Sequence, residues 1–282
     1  MAVIALAGVP GSPGVTATAL ALLRTWPLEE GWRILLAECD PDGGAVLSGA
    51  LEGRVPADRG LRNLAVSSRR QGQELVACFW TQLIAVDSRP GAERNRLLLP
   101  GLTDPRQASS LSPVWGQLAD LFTGIEQHRH DVLIDLGRSG ASGASGVLAA
   151  RAEAVLMVVR GTLRGVHAAK ARVSMLRTAL DSSSGAGSGV KGLAALLITE
   201  GPYGQQEVSA ELSIPVIATL PYRPKEAAVL SDGAPEDRRF AGCELMRAAR
   251  TAVDGIQRHV AEQRVRIAAP LHDRRGVSGH AR

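Results

Sequence analysis

The sequence predicts a doubly wound α/β domain, with a single, mainly parallel sheet and helices on both of its faces. Three observations carry this. Short, continuous apolar runs recur along the chain and are separated by stretches of helical character. A glycine-rich turn joins the first apolar run to an Ala/Leu-rich one. Gly8–Thr16, Asp40, Asp135 and Pro221 all follow apolar runs, at the sheet edge where such a fold places its ligand. No break in composition divides the 282 residues. Residues 1–262 are therefore expected to form one domain, and 263–282 a basic, disordered tail.

In chain order, Val3 to Ala7 is a strand and Ala17 to Leu23 lies in the first helix. Trp32 to Glu38 is an apolar run suited to a buried parallel strand, and Cys39-Asp-Pro-Asp-Gly-Gly44 is a turn-rich loop. Between Gly60 and Asp87 the pattern is helical, with Leu75, Val76, Phe79, Trp80, Leu83 and Ile84 in two adjacent rows that make one apolar face. Arg96 to Pro100 is a strand. Ser112 to Gln127 reads as a helix, with Ser112 as N-cap and Pro113 in its first position. Asp131 to Asp135 and Ala154 to Val159 are strands on either side of the Gly/Ser-rich stretch 137–146. A helix over Thr162–Leu180 and a flexible loop over Asp181–Gly189 follow. Leu193–Ile198 is a strand, Gly204–Leu212 a helix, Pro215–Leu220 a strand, and Asp237–Arg266 contains the last long helix.

Hydrophobic residues are 45% of the chain and aromatics only 3%, so the core must be built mostly from Ala, Leu and Val. The net charge of +4 and pI of 9.3 are too mild to argue for nucleic acid. The Arg pairs 69–70, 238–239 and 274–275 read as solvated faces. Lys170, Lys191 and Lys225 are the only lysines. Cys39, Cys78 and Cys243 are far apart, which fits neither a disulfide framework nor a zinc spacing. His128 and His130 have no third ligand nearby in sequence and read as surface residues. The expectation is a reduced, soluble, cytoplasmic protein without a membrane-spanning run.

The chemistry concentrates in the first turn. A glycine-rich strand-to-helix turn aims backbone N–H groups at the positive end of the helix dipole, which suits a phosphate. The phosphate-loop pattern G-x-x-x-x-G-K-[ST] is met in part by Gly14-Val15-Thr16. The glycine and hydroxyl are present, the lysine is valine, and Val9 holds the first-glycine position. By itself this turn fits a phosphate site and a plain βα connection equally.

Four stretches in order make the chain resemble the ParA/MinD family of dimeric phosphate-loop ATPases. The family's K-G-G-V-G-K-[ST]-T aligns with Pro10-Gly-Ser-Pro-Gly-Val-Thr-Ala17. Its hydrophobic-D-x-D-P-x-G aligns with Leu36-Ala-Glu-Cys-Asp-Pro-Asp-Gly43, and its D-hydrophobic₃-D strand with Asp131-Val-Leu-Ile-Asp135. Its late I-P-V-x-x-x-[IL]-P segment aligns with Ile214-Pro-Val-Ile-Ala-Thr-Leu-Pro221. Leu97 to Pro105 also looks like the TadZ/CpaE branch attached to pilus assembly.

The resemblance implies a phosphate cradle from Gly11, Ser12, Gly14, Val15, Thr16 and Ala17, and a base-binding loop at Pro221 and Tyr222. It implies Mg²⁺ held by Thr16 and, through water, by Asp135, with Asp40 orienting the attacking water. Glu38 stands where the family has its preceding aspartate. Both lysines of the family loop are missing: Val15 replaces the one on the β/γ-phosphates, and Pro10 the one that crosses the dimer. A charge-assisted bond contributes about 1.5–3 kcal/mol, so losing two weakens a nucleotide site by roughly 10²- to 10⁴-fold. The resulting expectation is weak binding of ATP and Mg²⁺ with little or no hydrolysis, a pseudo-ATPase. A positioning or assembly factor of polar or pilus machinery would act as a homodimer through protein partners, without nucleic acid and with membrane contact only through partners. Two alternatives stand beside it. One is an active ATPase in chromosome partitioning or septum placement, with Arg138 supplying the cation. The other is an interaction module that binds no nucleotide.

Overall fold

Apolar runs covered on both faces become the interior strands of one sheet. The computed structural model describes residues 2–9, 14–53, 58–67, 72–86, 94–183 and 192–268. Its elements in order are β1 (Val3–Ala7), α1 (Val15–Thr25), β2 (Arg33–Glu38), α2 (Leu61–Ser67), α3 (Gly72–Gln82), β3 (Ile84–Ala85) and β4 (Arg96–Leu99). There follow α4 (Ser112–Gly124), β5 (His130–Asp135), α5 (Gly146–Arg151), β6 (Ala154–Arg160), α6 (Leu163–Ser183) and β7 (Leu193–Thr199). The last are α7 (Gln205–Leu212), β8 (Val216–Pro221), α8 (Pro224–Ser231) and α9 (Glu244–Ala268).

The eight strands form one sheet in the order β3-β4-β2-β5-β1-β6-β7-β8. Every pairing is parallel except the short β3 against β4. The direction of winding reverses around β1, so a crevice opens beyond its carboxyl end.

Side-chain alternation in β1 feeds two cores. Val3, Ala5 and Ala7 point into a layer with Phe79, Trp115, Leu118 and Phe122. Ala2, Ile4 and Leu6 point into the other, with Leu22, Trp26 and, from α9, Ala249, Val253 and Ile256. The core is aliphatic as composition requires, yet its largest fully buried side chains are Trp26, Trp115, Phe79 and Phe122.

Several local expectations are corrected. Ser112 is not the N-cap of α4; Leu111 is, and Pro113 sits in the second helical position. A 3₁₀ helix over Pro105–Leu111, capped by Asp104, runs straight into α4 and leaves no break for a capping side chain. The apolar rows of α3 do not act as one face: Leu75 and Phe79 are buried, Val76 is exposed, and Ile84 belongs to β3. α6 extends through Ser183, into the expected loop. α9 runs to Ala268, two residues past the expected helix end at Arg266, and Val253, Ile256 and Val260 dock its earlier part on the core. His130 is buried rather than on the surface, with its Nδ1 2.6 Å from the carbonyl of His128 and its ring against Trp80. Residues 184–189 of the expected loop, Arg69–Arg70 and Arg274–Arg275 lie outside the described residues.

Candidate functional site: a cavity at the carboxyl edge of the sheet

The first helix starts at a residue that must be glycine. Gly14 has φ +129°, and a Cβ there would stand 2.9 Å from Ile198 Cδ1. The first bond of the α1 ladder runs from Thr18 N to Gly14 O at 2.8 Å. The N–H groups of Val15, Thr16 and Ala17 thus precede the ladder and point out of the helix end, the arrangement that receives anions. Pro10, Gly11 and Ser12 lie outside the described residues.

Val15 is 4% exposed and packs in the same core as Ile4 and Leu6. Thr16 hydrogen-bonds the Asp135 carboxylate. Because β5 pairs with β1, with Asp135 opposite Leu6, the acid is delivered beside the turn. Asp135 is 1% exposed and also accepts from Gly137 N at 2.8 Å. Burial pushes its pKa up to about 6 against the lowering effect of Thr16 and Gly137, with the Glu38 charge adding to the rise.

Asp40 lies across the crevice. Its Oδ1 accepts from Asp42 N at 3.0 Å. Burial, with the charges of Asp135 and Asp42 behind it, raises its pKa to about 6, although the Asp42 N–H bond and Arg138 pull the other way. Gly137, at φ +55°, makes room for it: a Cβ on Gly137 would fall 1.6 Å from Asp40 Oδ2. Ser139 Oγ donates to Asp42 Oδ2 at 2.7 Å and ties the loops after β2 and β5 together. Glu38 does not line the cavity. It is a buried staple that accepts from Ala45 N, Val46 N and Gly101 N at 2.8, 3.0 and 3.0 Å, and desolvation raises its pKa.

These groups line a cavity of about 570 Å³, together with Pro221, Tyr222, Arg223, Pro224 and Leu245 at its far end. The predicted residues Gly14, Val15, Thr16, Ala17, Asp40, Pro221 and Tyr222 share this one space, with Arg138 at its edge; Asp135 reaches it through Thr16. Sequence reasoning missed Arg160, at the end of β6. Its only signal was a cation closing an apolar run. It lines the cavity, lies 2.9 Å from Glu200 and holds its guanidinium 5.0 Å from the centre of the Tyr222 ring.

The oxygen donors Thr16, Asp40 and Asp135 fit Mg²⁺, which binds few protein carboxylates and completes its shell with water and phosphate oxygens. Two acids whose ionisation is held back by burial are what a divalent cation would relieve. Among the described residues no cluster of three or more His, Cys, Asp or Glu side chains forms an all-protein metal cage. The helix start, which lines the cavity, and the Tyr222 end fit phosphates and a base respectively.

No protein-family model and no curated protein matches the sequence. Solved structures match over almost their whole length. A ParA family ATPase from Chlorobium tepidum superposes with a TM-score of 0.65 at 12% identity, covering 89% of this chain and 98% of that one. MinD from Pyrococcus horikoshii, complexed with Mg-ADP, gives 0.64 at 14% identity, covering 93% and 98%. MinD from Aquifex aeolicus, in its complex with MinC, gives 0.62 at 16% identity, covering 96% and 98%. The fold is that of the ParA/MinD ATPases. Within that ParA/MinD fold, the cavity lies where the sheet order reverses. Among the described residues no helix is long and apolar enough to cross a membrane.

Proposed function

We propose that this chain is a ParA/MinD-like positioning or assembly factor whose site binds ATP and Mg²⁺ weakly and hydrolyses ATP negligibly. The observation that carries the reading is Val15: the side chain at the head of α1 is buried and apolar, while Thr16, Asp135 and Asp40 beside it keep an oxygen frame. Mg²⁺, when bound, offsets phosphate charge. Thr16 and Asp135 would hold it, Asp40 would orient a water, and the N–H groups of Val15 to Ala17 would take the phosphates. Phosphoryl transfer depends on cations at the γ-phosphoryl, and neither position 15 nor position 10 provides one. The protein works in the cytoplasm as a homodimer through protein partners rather than nucleic acid. The pilus-type segment Leu97–Pro105 favours a polar or pilus assembly as its setting. Equilibrium titration with Mg-ATP, paired with a phosphate-release assay, tests this: weak binding and no turnover above background are expected. Turnover at a rate typical of ATPases of this fold overturns it. Absence of any nucleotide binding leaves the interaction-module reading. Identification of copurifying proteins tests the setting.

A second reading has its own observation. Arg138 lines the cavity, and its charge already acts on Asp40. If it serves as the phosphate cation, the protein is an active ATPase and Arg138→Ala abolishes turnover.

A further inference from the structure

The far end of the cavity holds an arrangement to which the nucleotide reading has so far given no role. Arg160 comes from the end of β6 and Tyr222 follows β8, with β7 between them. The guanidinium reaches across the end of β7, passes Glu200 at 2.9 Å and lies 5.0 Å from the centre of the Tyr222 ring. Its side chain is 19% exposed and that of Glu200 26%. Arg160 Nε is buried and donates to nothing, and Glu200 Oε2 accepts no hydrogen bond, although the charges are in contact. The ion pair therefore fixes where the guanidinium sits without using all of its hydrogen-bonding capacity.

We infer that Arg160 is a ligand-binding residue: its guanidinium plane is a stacking platform for a nucleobase, with Tyr222 beneath it and Glu200 as the positioning residue at its edge. The Arg160 Cζ lies over the Tyr222 ring, and both residues line the cavity whose other end is the helix start at Val15. Guanidinium planes stack on bases as they do on aromatic rings, and such stacking tolerates any base because each has a π-face. The layered order would be Tyr222, Arg160, base. Affinity then comes mainly from the base rather than the phosphates, which suits a site lacking its lysine. The inference rests on the nucleotide reading and adds to it the residue that receives the base.

The test uses the full chain and ligand-observed NMR, which reaches millimolar affinities. Mg-ATP, Mg-GTP and Mg-tripolyphosphate are titrated into the unmodified protein, Arg160→Ala, Arg160→Lys and Glu200→Gln. Arg160→Ala should weaken both nucleotides about tenfold and leave tripolyphosphate unchanged, which also shows that the variant is folded. Arg160→Lys should not restore the loss, because an ammonium has no plane. Glu200→Gln should cost about threefold, again for the nucleotides only. If Arg160→Ala leaves nucleotide affinity unchanged or tightens it, the platform is wrong, and in the second case the guanidinium is a plug. If tripolyphosphate weakens as much as ATP, Arg160 acts by charge alone and the inference also fails. If the unmodified protein binds none of the three ligands, the nucleotide reading itself falls, and the platform with it.

Discussion

The two ends of the cavity are built on opposite electrostatic plans. At the helix start, the proposed phosphate end, Glu38, Asp40 and Asp135 gather behind a first side chain that is apolar, and burial raises the pKa of all three. At the Tyr222 end, the proposed base end, each arginine already faces an acid: Arg160 with Glu200, and Arg223 with Glu244. One end carries negative charge that nothing on the wall fully compensates; the other is neutral and assembled. The phosphate end should therefore respond strongly to pH, to divalent cations and to an added positive charge. In the ParA/MinD fold the two ends sit on different strands, so each can change without the other.

The largest effect should come from breaking the packing at the phosphate end. Gly137→Ala forces a side chain into a positive-φ position and against the Asp40 carboxylate. It should cost about 3 kcal/mol or more of stability, measured by urea denaturation. A smaller loss would mean that the loop after β5 moves away easily and that Asp40 is not held in place.

Placing a cation at the helix start should sharpen the contrast. Val15→Lys should tighten Mg-ATP binding by about 10- to 100-fold, the worth of one charge-assisted bond. Phosphate release should rise far less, because Pro10 still lacks the second lysine. Unchanged affinity would show that the helix start does not meet a phosphate.

The acids give a pH dependence of definite sign. The pKa values of Asp40 and Asp135 are raised from 3.8 to about 6 in the folded state. Between these values the folded protein holds protons that the unfolded chain releases, so stability falls as pH rises from about 4 to 6 and then levels off. Asp135→Asn keeps the shape and removes the charge. It should stabilise by about 1–3 kcal/mol at neutral pH and by little at about pH 4, read from denaturation curves at both. Stability that instead rises through this window would place these carboxylates beside a cation.

The smallest effect belongs to the base end. Arg223 and Glu244 are each about half exposed, so Arg223→Ala should change stability by less than about 1 kcal/mol in denaturation curves. A large loss would show that the base end depends on its ion pairs as the phosphate end depends on Gly137.

The sequence by itself determined the layers and which residues meet at the start of the first helix. Continuous aliphatic runs can be buried on both faces only in a parallel sheet, and a glycine turn between a strand and a helix is a local signal, so the strands starting near Val3, Arg33, Val132, Val155, Leu193 and Val216 and the grouping of Gly14, Thr16, Asp40 and Asp135 were legible from spacing. What tertiary structure alone decided lies between distant segments. β3 is two residues long and exists because β4 offers it an edge. Glu38 became a staple because Ala45, Val46 and Gly101 converge on it, and His130 became interior because Trp80 covers it. Arg160 gained a role only when strand order set the ends of β6, β7 and β8 side by side, bringing it to Glu200 and Tyr222 across 40 and 62 positions of sequence (200 − 160 and 222 − 160). Local patterns record which surfaces must be buried; partners far apart in the chain are fixed by the packing of the sheet, which no window of sequence contains.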